Sequence, residues 1–214
     1  MNTPSNDPLS TIGFAGIHVA AFESRRASEI GRLIEKHGGI AHVSPSMQEI
    51  PLAKNKLAVD FAHRLITGEI DIVIFLTGVG FRYLLAAIQP HVESNRYLHA
   101  LEDITTIARG PKPVAAMREA GIEPSLRAAE PNTWREILTA LDQQGSLANQ
   151  TIAIQEYGLS NPSLVAGLEA RGATVVSVPV YRWKLPDDQK PLEKNLQAIA
   201  NGEREVLLFT SAHQ

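Results

Sequence analysis

Short apolar runs alternate with amphipathic stretches along almost the whole chain, and that alternation predicts a parallel α/β architecture. Ile17–Phe22 reads as a strand. Ser24 is placed as the cap of a helix running to about His37, where Gly38 and Gly39 stop it. Ile40–Val43 is the next strand, and Lys56–Thr67 is a helix with Leu57, Phe61, Leu65 and Ile66 on one face. Ile70–Leu76 reads as an apolar strand of the kind found when both faces of a sheet are covered, with Gly80–Ile88 as its return helix. Three further strand–helix pairs follow: Thr105–Ala108 with Pro111–Ala120, Ser125–Ala128 with Thr133–Gln143, and Thr151–Gln155 with Pro162–Arg171. Thr174–Val180 is a β-branched strand, and Val206–Phe209 is the last.

Two segments break the alternation. SPSMQEIPL (44–52) and VPVYRWKLP (178–186) carry prolines that forbid a helix interior, so both read as extended chain. The simplest geometry pairs 46–52 with 178–186 as a two-stranded connector. Residues 53–177 then form one continuous lobe, while 12–45 and 187–214 come together as a second, discontinuous lobe behind a disordered tail at 1–11. The fold class expected is therefore α/β, two lobes of parallel-sheet, flavodoxin-like type. The discontinuous lobe holds only three of the predicted strands, a thin core with an open sheet edge, and this predicts a C-terminally truncated chain. A faint internal echo links GEIDIVIFLTGVGF (68–81) to GEREVLLFTSAHQ (202–214).

Composition narrows the field. The chain is 44% hydrophobic and 20% charged, ordinary for a globular protein, and its net charge of −3 argues against nucleic acid as a partner. No apolar run is long enough to span a membrane, and MNTPSNDPLS lacks the basic and apolar regions of a secretory leader, so the cytoplasm is the expected location. The absence of cysteine excludes disulfides, thiolate metal sites and thiol catalysis.

The candidate chemistry sits at strand ends. In ITTIARGPKPVAAMREAGIEP (104–124) a short strand runs into Arg109-Gly110-Pro111-Lys112 and then a helix, a junction that brings amide N–H groups and two cations to one point. Similar turns are Ser24-Arg25, Thr77-Gly78, Tyr157-Gly158 and Thr210-Ser211, and in open α/β sheets ligands bind outside these carboxyl ends. Together they predict a cleft of helix N-termini suited to a polyanion. Tyr181, on the connector, is placed to look into the gap between lobes; Arg182, Trp183 and Lys184 beside it read as ribbon surface. GVGFRY (78–83) lacks the third glycine of a dinucleotide fingerprint. The histidines His18, His37, His42, His63, His91, His99 and His213 show no ligand spacing, so no metal is expected. A response-regulator-like reading fails because the strand ends carry Arg, Lys, Gly and Thr, with Glu130 and Glu156 as the minority.

These segments, taken in order, resemble the uroporphyrinogen-III synthase family. The resemblance is carried by SRRASEIGRLIEKHGG, the PSMQEIP connector, IDIVIFLTGVGF, IARGPKPVAAMREAGIEP, QEYGLSNPSLVAGLEARGATVVSVPVYRWKLP and EVLLFTSA. It implies two α/β lobes on a two-stranded ladder and a cofactor-free lyase of tetrapyrrole biosynthesis (heme, sirohaem, cobalamin). Such an enzyme acts on hydroxymethylbilane, a linear tetrapyrrole rich in carboxylates. The substrate hydroxyl leaves as water and the last ring inverts before closure, so holding one folded conformer is the central task. Tyr181 matches the family tyrosine assigned as general acid, and the strand-end turns, as helix N-termini, are the expected handles for the substrate carboxylates. A monomer is expected, and the truncation predicts that this chain is inactive. The alternative is a non-catalytic two-lobed module that senses a tetrapyrrole or another anion on the same scaffold.

Overall fold

The computed structural model describes residues 13–210. The tail expected at 1–11, Ser211 and His213 lie outside them. The described chain divides into two compact units: one from Glu49 to Trp183, the other from the residues before Glu49 together with those from Lys184 onward. They are called the middle unit and the terminal unit below.

The middle unit is built on five parallel strands: β4 (Ile72–Phe75), β5 (Thr105–Ala108), β6 (Leu126–Arg127), β7 (Thr151–Gln155) and β8 (Thr174–Val178). The terminal unit holds β1 (His18–Ala21), β2 (Ile40–Val43) and β10 (Val206–Leu208), and a separate ribbon pairs β3 (Gln48–Pro51) with β9 (Tyr181–Lys184). In the middle unit the order is β6-β5-β4-β7-β8, so the chain steps outward from β4 in one direction, then crosses to β7 and continues in the other. The register sets Phe75 opposite both Ala108 and Gln155, which brings the carboxyl ends of the three central strands level.

Alternation in these strands sorts the core. Val73 and Phe75 face one apolar cluster with Phe61 of α2 (Lys56–Ile66), Phe81 of α3 (Gly78–Ile88), Tyr97 of α4 (Ser94–Glu102) and Met117 of α5 (Pro111–Glu119). Ile72 and Ile74 face the other, with Ile137 and Leu141 of α6 (Trp134–Asp142) and Leu168 of α7 (Pro162–Glu169). Each such side chain contributes about 1.5–3 kcal/mol on burial. Helix starts follow side-chain caps: Asn55 accepts from Ala58 N–H, Asn161 from Leu164 N–H, and Thr133 with Glu136 forms a capping box. Asn55 also donates to Pro179 O at 2.7 Å, pinning the corner where Pro179 separates β8 from β9. The strand predicted over Thr174–Val180 ends there, because proline has no N–H to continue the ladder.

The terminal unit orders its strands β10-β1-β2. Helix α1 (Ala27–Lys36) covers one face over a small core of Val19, Ala21 and Ile34. Helix α8 (Lys190–Ala200) buries Asn195 and Ala198 instead of an apolar stripe. The periodicity did not predict α4 or α8. The α1 cap is also corrected: the N-cap is Arg26, with no side-chain cap hydrogen bond, the Glu23 carboxylate accepts from Arg25 N–H (2.9 Å) and Arg26 N–H (3.1 Å) in the turn before the helix, and the Ser24 hydroxyl is buried with no hydrogen-bond partner among the described residues.

Candidate functional site

The level strand ends of β5, β4 and β7 place the Arg109–Lys112, Thr77-Gly78 and Tyr157-Gly158 turns side by side in the middle unit. The strand order reverses between β4 and β7, so this is the topological switch point where crevices form in open α/β sheets.

Much of the Thr77 turn is already filled from within. Thr77 N–H donates to Gln155 Oε1 at 3.3 Å, Gly80 N–H to Thr77 Oγ1 at 3.1 Å, and Phe81 N–H to Thr77 O at 3.0 Å. A Cβ on Gly80 would fall 2.0 Å from the Gln155 amide, and one on Gly78 would fall 2.4 Å from Lys112 O. These glycines therefore admit a buried glutamine and a neighbouring helix. The predicted approach of a ligand at Gly78 is replaced by close contact between α3 and α5.

The Arg109 turn is also poorer in amide donors than a helix start usually is. Pro111 and Pro113 have no N–H, and Val114 N–H is turned back to Gly110 O at 3.4 Å. That reduces the turn's donors to Gly110 and Lys112, and the cations matter more. Arg109 is anchored by its N–H to Phe75 O at 3.0 Å, and its carbonyl would accept from the Asn132 amide at 2.9 Å with that amide turned nitrogen-first, the orientation its neighbours favour. Gly110 leaves space for that amide, since a Cβ there would lie 3.1 Å from Asn132. The half-buried guanidinium lies 5.5 Å from the centre of the Tyr157 ring. Burial pulls its pKa below the usual arginine value, an effect partly opposed by Tyr157 and Tyr181. Arg109 forms no ion pair among the described residues, and Lys112 beside it is exposed. A partly desolvated cation without a carboxylate partner is a receptor for an anion.

Tyr181 belongs to this group. Its ring is 2% exposed, with ring centres 5.8 Å from Tyr83 and 5.7 Å from Trp183. Gly158, at φ +87°, brings its backbone so close that a Cβ would lie 2.9 Å from the Tyr181 ring and 2.7 Å from Trp183 Nε1. Trp183 is no surface residue of the ribbon. Its indole N–H donates to Tyr157 O at 3.1 Å, tying β9 to the turn after β7. Gln155, Asn132, Tyr83 and Trp183 are thus supporting residues that pattern reading passed over, and only Gln155, a polar end to an apolar strand, carried a signal.

Ser24, Arg25 and Thr210 belong to the terminal unit, and there an internal acid takes the donors predicted for substrate. Besides the Arg25 and Arg26 amides, the Thr210 hydroxyl donates to the Glu23 carboxylate. Among the described residues no group of three or more His, Asp or Glu side chains could hold a metal ion. No described helix is long and apolar enough to cross a membrane.

The family model described as uroporphyrinogen-III synthase HemD matches residues 28–214. The chain belongs to the uroporphyrinogen-III synthase family. Its fold is similar to that of the uroporphyrinogen III synthase of Thermus thermophilus. One selenomethionine mutant form of that enzyme superposes with a TM-score of 0.72 at 26% identity, covering 90% of this chain and 71% of that one. The wild-type native form gives 0.62 at 27% identity, covering 92% and 73%. Protein YjjA of Bacillus subtilis (strain 168) is 29% identical over 202 residues, 94% of this chain and 73% of the relative.

Proposed function

We propose that the protein closes hydroxymethylbilane to uroporphyrinogen III, with inversion of the last pyrrole ring and loss of water. The observation that carries this reading is Arg109, a half-buried cation without an ion pair among the described residues, set beside Tyr157 and Tyr181 at the switch point of a synthase-family fold. Arg109 and Lys112 bind substrate carboxylates, with the Gly110 and Lys112 amides as further donors. The Thr77, Gly78, Tyr157 and Gly158 turns shape the floor beneath them. Tyr181 gives its phenolic proton to the departing hydroxyl, the C–O bond breaks and water leaves; the new carbon–carbon bond then closes the macrocycle, and the proton released from the attacking pyrrole carbon restores the phenol. Its fixed ring, held by Tyr83, Trp183 and Gly158, suits a reaction in which placement decides the isomer. The expected loss of activity through truncation finds no support in the comparisons, so turnover is the proposal made.

The test supplies fresh hydroxymethylbilane to the purified protein and separates the isomers formed. Type III product above the spontaneous background supports the proposal; type I alone contradicts it. Tyr181→Phe keeps the ring and removes the proton, so type III formation should slow by about 10²-fold or more. An unchanged rate takes Tyr181 out of the mechanism. A sensing module without turnover has one observation in its favour: Glu23 already occupies the donors at Arg25, Arg26 and Thr210. Tight tetrapyrrole binding with only type I product would establish that reading.

A further inference from the structure

The terminal unit carries a second concentration of positive charge, separate in sequence and structure from the Arg109 turn. A cavity of about 180 Å³ opens between β2 and α8, its polar lining His42, Ser44, Lys194, Asn195 and Arg204 and its apolar lining Val43 and Pro191. Asn195 organises it. This buried amide donates to His42 O and to Ser44 Oγ, each at 2.9 Å, and its own oxygen accepts from Arg204 Nε at 3.1 Å. Arg204 also donates through Nη1 to Glu203 O at 2.8 Å, which leaves Nη2 without a hydrogen bond among the described residues. Neither Lys194 nor Arg204 forms an ion pair among those residues. The Ser44 hydroxyl is 1% exposed and accepts from Asn195, so it keeps its own proton for a ligand.

Neither nearby acid, Glu203 or Glu205, forms an ion pair with Lys194 or Arg204 among the described residues. Glu205 accepts from His18 N–H at 2.8 Å, and Glu203 accepts from the Asn201 amide at 3.1 Å. The His42 ring stacks on His18 with centres 5.1 Å apart and shares a 2.9 Å hydrogen bond with it. Burial chiefly, and then Arg204, His18 and Lys194, pull the His42 pKa down, with Glu205 opposing.

We infer that this cavity binds a small oxyanion, a phosphate or carboxylate group, through Arg204, Lys194 and the Ser44 hydroxyl. The remaining guanidinium nitrogen, Nη2, beside a hydroxyl and an ammonium suits an oxyanion. The volume lies below the about 300–1,000 Å³ of pockets that enclose whole drug-sized ligands, so a single anionic group is the occupant.

The test follows the His42 ring resonance, assigned with His42→Gln, while inorganic phosphate or acetate is added to the whole protein at ionic strength held constant with sodium chloride. Phosphate, acetate or both should move the resonance saturably and raise the His42 titration midpoint. Saturation by phosphate alone assigns a phosphate ligand, and saturation by acetate assigns a carboxylate. Lys194→Ala, at an exposed position, and Arg204→Ala should each weaken half-saturation at least tenfold. A response no larger than that to sodium chloride overturns the inference. So does a saturable response undiminished in Lys194→Ala, the variant that keeps the Asn195 network whole.

Discussion

In the middle unit both faces of the sheet are apolar, so two helical layers close over Val73 and Phe75 on one side and Ile72 and Ile74 on the other. In the terminal unit only the α1 face is apolar; the α8 face carries His18, His42, Ser44 and Asn195 joined by hydrogen bonds. The contrast separates two ways of holding a polar group. Packing immobilises Arg109, Gln155 and Tyr181 at the rim of a large core, and their geometry needs no charge balance. The α8 face is held by polar contacts, and its strength varies with protonation and with bound ions.

The largest expected effect tests the first half of that contrast. Phe75→Ala empties a site at 0% exposure between two helices and should cost about 3–5 kcal/mol in chemical denaturation. Leu207→Ala, on the terminal unit's edge strand at 46% exposure, should cost under about 0.5 kcal/mol. Similar losses at both would erase the distinction. Next comes Gly158→Ala, which meets both a left-handed backbone and the Tyr181 and Trp183 rings; a loss of about 2–4 kcal/mol is expected, and a shift near zero would mean that β9 does not lean on that turn.

A smaller effect concerns pH. The His42 pKa is depressed in the folded chain below its ordinary 6.5, so on acidification the unfolded chain takes up its proton first. Stability should fall as pH drops below 6.5 and level off once folded His42 is protonated as well. His42→Gln should flatten that part of a denaturation-versus-pH curve; an identical curve would remove His42 as its source. The smallest expected change is at Tyr97, fully buried with a hydroxyl that has no hydrogen-bond partner among the described residues, where burial raises the phenol pKa far above its ordinary value. Tyr97→Phe should leave stability within about 1 kcal/mol or raise it. A loss of several kcal/mol would point to a partner for that oxygen.

The strands and most helices could be read from the chain because the middle unit buries both faces, and apolar runs such as Ile72–Phe75 then stand out. Helix α8 could not. It packs on a polar sheet face, so its buried residues are Asn195 and Ala198, while the apolar row Leu192, Leu196 and Ile199 is only partly buried and Leu196 is exposed, so the apolar period does not mark the packed side. Helix α4 buries Tyr97 and Leu101 fully, with Leu98 and Ala100 only partly buried against the same core, so its apolar residues make no clean period. The site was legible as far as its strand ends, because position at a carboxyl edge follows from element order. What fills each turn was not. Gln155 at the Thr77 turn and Glu23 at the Arg25 turn come from residues whose roles depend on three-dimensional approach. The proline count at the Arg109 turn was in the sequence from the start, and it shifts the weight there from amides to the guanidinium.

The central claim is that Arg109, held at the sheet's switch point beside Tyr157 and Tyr181, grips the substrate in the conformer that closes to type III. Arg109→Gln keeps a polar side chain of similar reach and removes the charge. With the denaturation midpoint unchanged, the ratio of type III to type I uroporphyrinogen formed from hydroxymethylbilane should fall at least tenfold. A variant that folds normally and keeps the wild-type isomer ratio would contradict the account.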